Sequence, residues 1–75
     1  MSQETLTAEE IQAHYDAAMD SVNLLNSDKP EQLSDDEWTA CVSRNVEHLE
    51  IMVAKTYWTD AQDTSVLQDA IDANS

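Results

Sequence analysis

Glycine and phenylalanine are absent from this 75-residue sequence, and proline and cysteine occur once each, at Pro30 and Cys41. Without glycine there is no Gly-rich loop to cradle a phosphate and no default residue for a left-handed turn. A single proline leaves long stretches of chain open to helix. One cysteine excludes an intramolecular disulfide. Bases are nearly missing as well: Lys29, Arg44 and Lys55 stand against 16 acids, for a net charge of −13. Such a balance repels nucleic-acid phosphates and anionic lipid alike, so the sequence predicts neither direct nucleic-acid binding nor membrane association. No apolar run approaches the ~20 residues of a membrane span, and Met1–Thr5 lack the basic and apolar regions of a signal peptide. The expected home is a reducing cytoplasm.

What is present is helical patterning, with 41% hydrophobic residues in a chain long enough for one core. A single small domain over 1–75 is expected, frayed at 1–6 and 74–75. Tyr15, Trp38, Tyr57 and Trp58 supply most of the bulky packing volume. Leu6-Thr7-Ala8-Glu9-Glu10-Ile11 reads as a capping box, with Thr7 as cap, Glu10 returning the bond and Leu6 stapled to Ile11. Ile11, Tyr15, Ala18, Val22 and Leu25 then recur at spacings of four and three, which predicts a first helix over about 8–26. Turn formers surround Pro30. Leu33-Ser34-Asp35-Asp36-Glu37-Trp38 repeats the box, with Ser34 and Glu37 as reciprocal partners.

A second helix over about 35–57 follows, striped by Trp38, Val42, Leu49, Val53 and Thr56, with Val46 or Asn45 between. The short bend makes the two antiparallel. A second partial stripe, Glu47, Ile51, Ala54 and Trp58, calls for cover, and Val66, Leu67, Ala70 and Ile71 provide it in a short helix over about 65–73 packed on the second. The fold class read from the sequence is therefore all-α, an antiparallel hairpin plus a short C-terminal helix.

Chemistry is sparse by comparison. Glu9, Glu10, Asp35, Asp36, Glu37 and Asp60 fall in expected first turns, where a carboxylate favours the helix dipole, so they need no catalytic explanation. In a hairpin folded symmetrically about Pro30, residue numbers summing to about 60 share a level, which nearly pairs His14 with His48. With Glu10 this sketches a two-histidine, one-carboxylate site, but no H-E-x-x-H spacing accompanies it, and the expected role of both histidines is solvated and flanking. Cys41, beside Trp38 and Val42, reads as a small buried hydrophobe rather than a nucleophile. No catalytic, cofactor-binding or metal-binding residue is assigned, and the expectation is a protein that is not an enzyme and holds no cofactor.

An interaction role remains. Met19 and Met52 flank the expected seam and Leu24 lies on a second face with Ala13 and Ala17, which predicts partly exposed apolar surface for docking or homodimerisation. Arg44, His48 and Lys55, the rare basic side chains of the second helix, form an alternative epitope.

The run from Arg44 to Lys55, Arg-Asn-Val-Glu-His-Leu-Glu-Ile-Met-Val-Ala-Lys, with Trp58-Thr59-Asp60 and Ala70-Ile71 after it, resembles small uncharacterised proteins of tailed bacteriophages. The likeness is confined to the C-terminal half. It implies a viral origin, expression in the bacterial cytoplasm and a role outside metabolism, and it carries no activity or site residue. The expected function is an acidic, phage-encoded structural or assembly accessory that binds a protein partner, itself or a host or viral protein. The alternative is an acidic inhibitor of a host protein, with DNA mimicry as its sharpest form.

Overall fold

A computed structural model describes residues 6–74, which form three α-helices and no strand: α1 (Ala8–Leu25), α2 (Asp35–Val53) and α3 (Thr64–Ala73). The first two begin with twin capping boxes. The Thr7 N–H donates to Glu10 Oε1 at 2.8 Å while the Glu10 N–H donates to Thr7 Oγ1 at 3.1 Å. The Ser34 and Glu37 pair repeats those distances. Each box satisfies two backbone donors that a helix start would otherwise leave open. α3 uses a simpler device, in which Asp63 Oδ1 accepts from the Ser65 N–H at 3.0 Å.

α2 stops at Val53, four residues short of the expected Tyr57. The Met52 carbonyl, left open at the helix end, accepts both the Lys55 N–H at 3.1 Å and the Trp58 indole Nε1–H at 2.8 Å. Ending the helix there sends Tyr57 and Trp58 across to α1. Tyr57 lies 5.6 Å from the His14 ring, Trp58 meets the Tyr15 edge at 6.0 Å, and the two rings pack on each other at 4.8 Å. The turn is clipped further by buried Gln62, whose Oε1 accepts from the Thr59 N–H and hydroxyl and whose Nε2 donates to Gln12 Oε1 at 2.9 Å. Tyr15 Oη donates to the Asp63 carbonyl at 2.9 Å. α3 therefore starts beside the first half of α1 and runs parallel to it.

The core draws on all three helices: Ala18, Val22 and Leu25 from α1, Leu49 and Met52 from α2, and Leu67, Ala70 and Ile71 from α3. α3 sits in the crease between the other two, so it covers α1 as well as the expected α2. Ile51 does not receive it. That side chain is 53% exposed, the one large exposed hydrophobic among the described residues, while Trp58 from the same expected stripe packs against the core. The fraying expected at 1–5 and 75 lies outside the described residues. Asn74, also expected to fray, caps α3, its Nδ2 donating to the Ala70 carbonyl at 2.8 Å.

The register is not symmetric about Pro30. Ser21, one turn before the end of α1, faces His48 deep in α2, with Ser21 Oγ and His48 Nδ1 3.0 Å apart. The start of α2 consequently projects past the end of α1 by roughly nine residues, or about 13 Å at ~1.5 Å per residue. Burial follows this stagger, since no residue of α2 before Leu49 is buried. The molecule is accordingly long, 44 × 25 × 20 Å. No described residue has a positive φ, and Asn26 and Ala54 close their helices in ordinary right-handed geometry, without the left-handed cap that glycine most often supplies.

Candidate interaction surface

The structure scatters the six residues singled out from sequence. Met52 is only 7% exposed and belongs to the core, so it offers no docking surface. The seam it was expected to flank is the seam it fills. Met19 and Leu24 are half-buried and pack against the core that the three helices share. His48 is half-buried and engaged with Ser21. Arg44 and Lys55 are exposed, but Arg44 sits in the middle of α2 while Lys55 lies beyond its end at Val53, more than two turns away. Neither the apolar trio nor the basic trio makes one patch.

The two histidines do not converge either. His48 meets Ser21 whereas His14 packs on Tyr57, and the stagger of α2 is the reason. Among the described residues no group of three or more His, Cys, Asp or Glu side chains is placed to hold a metal ion. Cys41 is half-buried, with the Asn45 amide donating to its carbonyl at 2.8 Å and lying 3.7 Å from its sulfur. It is less buried than the sequence predicts, because it lies on the projecting part of α2.

What the surface does present is acid. All the carboxylates of the described residues are exposed, and the ion pair found among those residues joins Lys29 to Asp35 at 3.6 Å. Lys29 also donates to the Leu33 carbonyl at 2.9 Å, so this base is spent holding the bend. Two carboxylates are held ionised to lower pH than usual. Glu37 is lowered by hydrogen bonds from the Ser34 backbone and side chain, and Asp63 by those from the Ser65 hydroxyl and N–H. None of the three helices carries a base in its last turn, so no positive side chain there offsets the negative end of the helix dipole.

Two grooves follow from the stagger and the parallel run of α1 and α3. One lies between those helices, lined by Val22, Asn26, Val66, Asp69, Ala70 and Ala73. The other, of about 430 Å³, lies where α3 ends against the side of α2. Val42 and Val46 supply its apolar lining, Arg44, Glu47 and Glu50 its charged lining, and Asn74 its end wall. Sequence reasoning missed this site because it depends on where α1 and α3 stop along α2. Its only sequence signal is the weaving of Val42 and Val46 with Glu47 and Glu50 at helical spacing.

No helix of the described residues is long and apolar enough to cross a membrane. No protein family, curated protein or solved structure matches the chain.

Proposed function

We propose that the protein is a non-enzymatic acidic interaction module that docks on a basic surface of a protein partner. The observation that carries this reading is the state of its carboxylates: all those described are exposed and one is ion-paired, to a lysine. A charge of −13 left open in this way attracts a cationic surface over roughly a Debye length, ~8–10 Å at physiological salt. Docking through Met19, Leu24 and Met52 loses support, since those side chains serve the core. The resemblance of the Arg44–Lys55 segment to tailed-phage proteins supports a phage-encoded module at work in the host cytoplasm.

Charge density separates general acidic docking from duplex mimicry. B-DNA carries one charge per ~1.7 Å of axis, or about 26 along a 44 Å rod, and this chain has a net 13. At half the density of a duplex, the surface suits a basic protein face better than a groove tuned to DNA. The test is capture of partners from expressing bacteria at about 0.05 M salt, followed by elution at about 0.5 M, where screening shortens to a few ångströms. Release of a basic partner at high salt is the expected result. A partner that stays bound at high salt and leaves only with mild detergent would overturn the acidic reading in favour of apolar docking.

A further inference from the structure

We propose that the groove beside the end of α3 is the docking site for a cationic amphipathic helix of the partner, laid along the exposed side of α2. The inference rests on the acidic-docking reading and locates it.

Shape comes first. The groove opens beside the middle of α2, where α1 has nearly reached its end and α3 stops at Asn74. Val42 and Val46, one turn apart, are half-buried against the core, and their outer edges, unlike those of Met19 and Leu24, share one groove and give it a small apolar lining. Ile51, though 53% exposed, lies well round α2 from that pair and takes no part in the groove.

Charge then selects the occupant. Glu47 and Glu50 line the groove beside these residues, and α3 ends against it with carbonyls that no base in its last turn offsets. A neutral apolar helix would leave those charges facing low-dielectric surface, and a second copy of this chain would bring −13 against −13. A helix with apolar residues at i, i+3, i+4 and i+7, and lysine or arginine on its flanks, satisfies both the lining and the rim. Arg44, the single base of the groove, marks where the partner helix carries an acid or a neutral residue instead.

The probe is a synthetic helix of about five turns with leucines at that spacing and lysines elsewhere, beside a scrambled peptide of the same composition. Binding is measured by calorimetry, and the methyl resonances of Val42 and Val46 are followed by NMR, with those of Ile51, off the groove, as the reference. Glu47→Lys/Glu50→Lys should weaken binding about tenfold or more, whereas Asp16→Lys/Asp20→Lys, an equal charge change on α1, should weaken it less than about threefold. Ile51→Ser, at an exposed position on another side of α2, should leave the affinity within about twofold of the parent. Equal losses from the two lysine pairs, equal affinity for the scrambled peptide, or unmoved Val42 and Val46 methyls would each overturn the site. In those cases the acidic reading still stands, because binding to a cationic peptide persists. Absence of any salt-sensitive binding to either peptide overturns both.

Discussion

Leu49 and Ile51 are two positions apart on one helix and differ in almost everything that matters for stability. Leu49 is wholly buried among residues of α1 and α3, whereas Ile51 faces water. Leu49→Ala removes methyl groups and leaves a cavity, which should cost about 2–5 kcal/mol, enough to unfold much of so small a domain at 37 °C. Ile51→Ala should change stability by no more than about 0.5 kcal/mol. Urea denaturation of the two variants checks the contrast. At this scale the acids also divide. Glu37 and Asp63 have folded-state values below the usual carboxylate range, so their stabilisation is fully present above that range and is lost as pH falls through the lowered values. Carbon-detected NMR titration should find both midpoints depressed, and Ser65→Ala should return Asp63 toward its ordinary value.

Helix ends are where the elements are unevenly built. The starts of α1 and α2 are each closed by a reciprocal box, yet no helix has a base in its last turn. Placing one there should help: Asn23→Lys, at an exposed position near the end of α1, should gain about 0.3–1 kcal/mol from the helix dipole. Ala13→Lys makes the same charge change in the middle of α1 and should gain less, a comparison that thermal melts resolve. The boxes were legible in the sequence because their partners lie three residues apart and need nothing distant. The three helices and most of their apolar positions were legible for the same reason. The stop of α2 at Val53 was not, since it is decided by the Trp58 indole reaching back to the Met52 carbonyl and by the rings of Tyr15 and Tyr57. The stagger was illegible too, because a bend centred on Pro30 looks symmetric until packing at Ser21 and His48 fixes the register. The groove on α2 is a product of that stagger and inherits its obscurity.

For the whole molecule, self-repulsion competes with a modest core. A 44 × 25 × 20 Å body carries −13 with almost no internal pairing, so screening should stabilise it. Raising sodium chloride from about 0.02 to about 0.3 M, which shortens the Debye length several-fold, should raise the melting temperature by a few degrees. A fall instead would mean that the helix-start carboxylates stabilise more than the whole set repels. A cationic partner would act as salt does, but locally, and by binding the folded state alone would add to its stability.

The backbone of this chain, at every described residue, stays where any L-amino acid can follow it. No position is reserved for glycine by geometry, and the one proline sits in an exposed bend. The consequence is evolutionary as much as structural. Substitutions on the outside of such a fold meet no conformational veto, only the chemistry of whatever they touch, so its surface is free to vary while eight core side chains hold the shape. Relatives sharing this architecture could then differ at most exterior positions, and the pattern that identifies them would be the buried spacing rather than any run of identical letters.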